Sequence, residues 1–180
     1  MMTRFVTFLR GINVGGRSVK KEKLQEAFNS LGFQNVATYK QSGNVIFEID
    51  SGSVEEIKKK IEVRLQETLG YNVVVFVRTT TQLKDIIECE PFKGRQNKED
   101  TSFLVTFLAS APAKFTIELP TIIPKSTAQL ISSKGTEVFS ETHGGGEGAL
   151  PNPFIESKLK VKATTRNMNI VREIVEKYCG

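Results

Sequence analysis

Apolar positions in the first half of the chain change their spacing element by element. From Arg4 to Leu9 they run almost unbroken, with Phe5, Val6, Phe8 and Leu9, as in a strand buried on both faces. Leu24, Ala27, Phe28 and Leu31 then fall at i, i+3, i+4 and i+7, which predicts a helix with Gly32 at its stop. The runs "NVATYK" and "NVIFEID" follow, joined by the turn residues "QSG"; in the second, Val45, Phe47 and Ile49 alternate as in a half-buried strand. Val54, Ile57, Ile61, Leu65 and Leu69 make a second helical stripe ended by Gly70, and "NVVVFVR" reads as a further strand. The order is β-α-β-β-α-β, the ferredoxin-like arrangement.

The second half follows a similar order less regularly. Leu83, Ile86 and Ile87 mark a short helix, and the loop "ECEPFKGRQNKED" leads into the strand "SFLVTFL". A turn of helix is expected in the proline-punctuated stretch from Ala111 to Pro124. The strands "AQLISS" and "TEVFS" are expected to turn at Lys134-Gly135. After "HGGGEGALPNP" the chain ends in helical segments, the last with Ile170, Val171, Ile174, Val175 and Tyr178 on one face. The expected fold class is α+β, with two ferredoxin-like subdomains and mostly antiparallel sheets. Residues 1–79 form the first subdomain; residues 80–180 form the second, with an extra C-terminal helix. This duplication rests on element order, without a residue-level repeat.

The totals narrow the function classes. A chain of 180 residues can bury a sizeable core. Its formal charge of +5 and isoelectric point near 9.2 admit nucleic acid or another acidic ligand without requiring one. Cys89 and Cys179 are far apart and form no cluster with histidine, so two reduced thiols are expected, with no metal site and no cofactor. "MMTRFVTFLRG" lacks the features of a signal peptide, and no apolar run reaches membrane-spanning length. The expectation is a cytoplasmic protein with no membrane partner.

"GINVGGRS", Gly11 to Ser18, would fit the phosphate-binding G-x-x-x-x-G-K-[ST] loop if Arg17 were lysine. A nucleotide-hydrolysing loop feeds a helix that crosses to a parallel strand, and a second strand supplies an acidic magnesium ligand. Here a hairpin follows the helix, and Asp50 leaves one arm of that hairpin. The planar fork of Arg17 is also a poor substitute for a compact ammonium. Two readings remain: a turn that needs positive φ at Gly11, Gly15 and Gly16, and an anion-attracting run of amides flanked by Arg10 and Arg17.

"RGINVGG", "LGFQNVATYKQSGNVIF" and "ATTRN" together resemble the conserved bacterial family catalogued as the domain of unknown function numbered 1697. The resemblance spans nearly the whole chain. It implies an α+β protein of two ferredoxin-like subdomains, soluble and of unestablished biochemistry. Its pattern falls on Arg10, Gly11, Asn13, Gly15, Gly16, Tyr39, Ser42, Gly43, Asn44, Thr165, Arg166 and Asn167. The family usually has tryptophan where this chain has Met168.

Each remaining motif has a structural and a functional reading. Gln41–Asn44 suits a hairpin turn, with Gly43 at positive φ, or a ligand-contacting loop. Thr164–Asn167 reads as a helix N-cap through Thr165 or Asn167. Arg166 beside that cap would oppose the helix dipole unless an anion sat there or a carboxylate paired with it. His143, the single histidine, could act as a base if Glu141 or Glu147 oriented it. The RNA-recognition motif shares the β-α-β-β-α-β order, but its basic-Gly-aromatic signature is missing from "NVIFEID".

The functional expectation is binding of an anionic ligand, either a phosphorylated metabolite or a nucleic-acid backbone. The expected ligand-binding residues are Arg10, Asn13, Gly15, Gly16, Ser42, Asn44, Arg166 and Asn167. The alternatives are an enzyme acting on a small phosphorylated or carboxylated substrate, and a structural or self-associating module.

Overall fold

The structure, a computed structural model, describes residues 2–40, 43–144 and 150–180. The chain is α+β, and every strand pairing among the described residues is antiparallel. It divides into two compact units: Met1–Leu83 with Ile174–Gly180, and Lys84–Glu173.

In the first unit the order is β1 (Thr3–Arg10), α1 (Lys21–Asn29), β2 (Gln34–Thr38), β3 (Asn44–Ile49), α2 (Val54–Leu69) and β4 (Val74–Thr79). The sheet runs β2-β3-β1-β4. The two helices each carry an apolar stripe at 3.6-residue spacing, and Leu24, Phe28, Ile57, Ile61 and Leu65 share one buried cluster with Phe5, Leu9, Val45 and Phe47. Ser53 and Glu56 close a reciprocal capping box at the start of α2, and Gly70 ends that helix at φ +79°. Truncating a fully buried ring such as Phe47 to alanine costs about 3–5 kcal/mol in cores of this kind.

α3 (Thr80–Glu88) leads from β4 toward the second unit. Its start is closed by Thr79 and Gln82: the Gln82 backbone N–H donates to Thr79 Oγ1 at 3.1 Å, and the Thr79 N–H donates to Gln82 Oε1 at 2.9 Å.

The rest comprises β5 (Thr101–Leu108), β6 (Thr121–Ile122), β7 (Ala128–Lys134), β8 (Glu137–His143), α4 (Asn152–Leu159), β9 (Ala163–Asn167) and α5 (Met168–Tyr178). The second sheet runs β6-β7-β8-β5-β9. Its core unites Leu108, Ala128, Leu130 and Val138 with Ile155 and Leu159 of α4.

Two expectations fail here. No helix forms between Ala111 and Pro124. Phe115, Ile117 and Leu119 alternate with polar residues at period two, and they pack on the core from irregular backbone. The β7–β8 turn is also one residue later than expected. Lys134 pairs with Glu137, leaving Gly135 and Thr136 as the connection, with Gly135 at φ +59°.

The two sheets share more than strand order. Val6-Thr7-Phe8-Leu9 of β1 recurs as Val105-Thr106-Phe107-Leu108 of β5, a four-residue match. Each copy lies between a hairpin strand and an outer strand, and an arginine of the outer strand stands opposite the valine: Arg78 opposite Val6, and Arg166 opposite Val105.

Candidate functional site

The end of β1 gathers most of the expected residues. Arg10 is the last residue of the strand, opposite Val74. The chain leaves it through Gly11 at φ +85° and is pinned by Ile12, whose side chain is buried and whose carbonyl accepts the Tyr71 hydroxyl at 3.4 Å. From Asn13 to Ser18 every residue is exposed. The Val19 N–H donates to Asn13 Oδ1 at 3.0 Å, closing the loop across six residues. The Arg17 N–H donates to the Val14 carbonyl at 3.1 Å, with Gly15 at φ +61° and Gly16 at φ +80° between them.

A side chain built on Gly11, Gly15 or Gly16 would meet no atom within 4 Å. Glycine there serves backbone conformation, not close packing. α1 then begins at Lys21 with no side-chain hydrogen bond from its N-cap residue, Lys20. The Arg17 guanidinium lies over the Tyr71 ring, 4.0 Å from its centroid.

The β2–β3 hairpin closes beside this loop. The Leu9 N–H donates to the Gly43 carbonyl at 2.8 Å, and Asn44 pairs with Phe8. The Asn44 side-chain amide donates to the Tyr39 carbonyl at 3.1 Å, while the Tyr39 N–H donates to the Asn44 carbonyl at 3.0 Å. Arg10, Asn13, Gly15, Gly16 and Asn44 thus share one end of the first sheet. The Ser42 expectation lies outside the described residues. Asp50 follows β3 at the opposite end of the ladder, beyond the Thr3–Ile49 pair. The strand between is about 20 Å long at the usual rise, too far for Asp50 to serve this loop.

Arg166 and Asn167 belong to the second unit, where the expected helix cap forms through Asn167 and not through Thr165. Ala163–Asn167 is a strand, as its β-branched threonines favour. Only its last residue caps: Asn167 Oδ1 accepts the Asn169 N–H at 2.9 Å. Thr165 instead lies across from Thr106, their hydroxyls 2.8 Å apart. Arg166 donates through Nη1 to Thr164 Oγ1 at 2.9 Å and to the Thr165 carbonyl at 3.0 Å. Burial lowers its guanidinium to about 10, which leaves it charged at neutral pH. Met168 is fully buried at the head of α5, where methionine fills the core readily.

His143 ends β8 and is not a loop residue. Its Nδ1 lies 3.1 Å from Thr101 Oγ1, and its Nε2 lies 3.8 Å from Glu141 Oε1. The other carboxylate considered, Glu147, lies outside the described residues. Arg95, which pairs with Glu141, went unnoticed in the sequence because its loop has no periodicity; the i, i+2 spacing of Glu141 and His143 was the available signal.

The family model described as a protein of unknown function, DUF1697, matches residues 2–137. The chain belongs to this family. The DUF1697 match takes in the glycine loop and the β2–β3 hairpin and ends before Arg166 and Asn167. Among solved structures, the conserved bacterial protein SP0830 from Streptococcus pneumoniae is 20% identical, with a TM-score of 0.66 and 98% of each chain covered. At that identity the likeness concerns the fold alone. An unknown protein from Galdieria sulphuraria is 12% identical over 93% of this chain and 99% of its own, with a TM-score of 0.28, which carries no argument. No curated protein matches the chain. No described helix is long and apolar enough to cross a membrane.

Proposed function

We propose that this DUF1697 protein binds a small anionic ligand, a phosphorylated metabolite in preference to a nucleic-acid backbone, at the loop that follows β1. One observation carries the reading: the exposed Asn13–Ser18 segment holds Gly15 and Gly16 at positive φ where no packing demands glycine. Consecutive amides in such a turn form a concavity that favours anions. The start of α1, without a side-chain cap, adds partly positive N–H groups. Arg10 supplies full charge at the base of the loop. Asn13 and Asn44 shape the site through their backbone bonds, and Ser42 is proposed as a contact. Arg166 and Asn167 are retained as proposed ligand residues in the second unit.

The strand orders β2-β3-β1-β4 and β7-β8-β5-β9 support reading each unit as a ferredoxin-like subdomain, the second with an irregular segment replacing its first helix. The division near residue 80 and a cytoplasmic location complete the proposal.

Phosphate should raise the thermal midpoint of the wild type, and Arg10→Ala should remove most of that rise while leaving the unliganded midpoint close to wild type. An equal rise in the variant would refute binding at this loop.

A further inference from the structure

We propose that the second unit carries a separate binding site for a small phosphomonoester, in the cavity of about 260 Å³ lined by Arg95, Gln96, Lys98, Glu141 and His143. It is independent of the loop after β1.

The strands build one wall. Glu141 and His143 are two residues apart in β8, so their side chains share a face of the sheet. Thr101 pairs with His143 in register, and its hydroxyl holds Nδ1 at 3.1 Å. The Glu141 carboxylate is buried, and its Oε1 accepts Arg95 Nη1 at 2.7 Å while lying 3.8 Å from His143 Nε2. The carboxylate therefore positions the guanidinium, while the Thr101 hydroxyl positions the imidazole.

The charges decide the ligand class. Among the described residues, Glu141 is the single carboxylate lining the cavity, and Arg95 pairs with it. A guanidinium has five N–H donors, and this ion pair occupies one of its nitrogens. Lys98 and Gln96 face the same cavity, and neither side chain has a hydrogen-bond or ion-pair partner among the described residues. Arg95 and Lys98 against Glu141 leave the described lining net positive. A cation would meet repulsion here, whereas a tetrahedral dianion would find ammonium, guanidinium and amide donors from three side chains. The volume suits a phosphate bearing a few carbon atoms and lies below the usual range for drug-sized ligands, about 300–1,000 Å³.

His143 is the single histidine, so its ring signals in an NMR spectrum are unambiguous. The test is a titration of the whole chain with glycerol 3-phosphate and with inorganic phosphate, at constant ionic strength. The expected result is a saturable shift of the His143 ring for both probes, weakened about tenfold by Lys98→Ala, the loss of one charge-assisted contact. Gln96→Ala should weaken it less, and Arg10→Ala should leave it unchanged. A ring that does not respond, or that responds equally to sodium chloride, would overturn the site. So would a response that survives Lys98→Ala but disappears in Arg10→Ala, which would assign all the binding to the first unit's loop.

Discussion

Arg166 stands opposite Val105 across the β5–β9 ladder, in the same register that sets Arg78 opposite Val6 in the first sheet. Each arginine donates Nη1 to the carbonyl of the residue before it, Arg78 to Val77 at 2.9 Å and Arg166 to Thr165 at 3.0 Å. Both strands then run directly into a helix. The agreement in sequence, register and hydrogen bonding supports a duplicated unit more strongly than element order does.

Stability should therefore separate Arg166 from Arg10, the two arginines of the expected ligand-binding set. Arg166→Ala removes a desolvated guanidinium and its bonds to Thr164 and Thr165, at an expected cost of about 2 kcal/mol in urea unfolding. Arg10→Ala, at the rim of the first sheet, should stay within about 0.5 kcal/mol of wild type. Equal losses for the two variants would contradict this assignment.

The repeated threonine makes a sharper contrast. Thr7 and Thr106 are both fully buried, but Thr106 shares a hydrogen bond with Thr165, whereas Thr7 faces Val77 and its hydroxyl has no hydrogen-bond partner among the described residues. Thr7→Val should raise the thermal midpoint, because an unsatisfied buried hydroxyl costs about 1–3 kcal/mol. Thr106→Val should lower it. Differential scanning calorimetry that found both variants less stable than wild type would contradict the unpaired state of Thr7.

Acid should weaken the first unit through Glu48. Asn35 donates to Glu48 Oε2 at 2.5 Å, Arg4 Nε donates to Oε1 at 2.8 Å, and together they lower the carboxyl below its ordinary value. A carboxyl lowered on folding contributes stability that is fully present above its unfolded value, near 4.5, and is lost as pH falls through the lowered folded value. Glu48→Gln should therefore be less stable than wild type at neutral pH, with the gap closing as the pH falls below that window. A gap that stays constant with pH would show that the ion pair does not contribute.

The sequence made some elements legible for physical reasons. Leu24, Ala27 and Phe28 recur at helical spacing and are all buried, so α1 was readable from its apolar stripe. The hairpin through Gly43 was readable because a turn flanked by β-rich runs has few alternatives. The stretch from Ala111 to Pro124 was not, because its prolines suggested turns while Phe115, Ile117 and Leu119 pack on the core without regular secondary structure. Thr164–Asn167 was legible only at its end: Asn167 caps α5 as its residue type suggests, whereas threonine serves caps and strands alike and pairing with β5 decided for the strand. The Arg95–Glu141 contact joins residues 46 apart and leaves no trace in local periodicity.

The central claim is that the loop after β1 holds an anion through its backbone. The most direct measurement is an amide NMR titration with phosphate at constant ionic strength. The account predicts saturable shifts concentrated at Gly15, Gly16, Arg17 and the first turn of α1 from Lys21, with the apparent affinity reduced about tenfold in Arg10→Ala. Amides in this loop that fail to move with phosphate, or that move identically in Arg10→Ala, would contradict it.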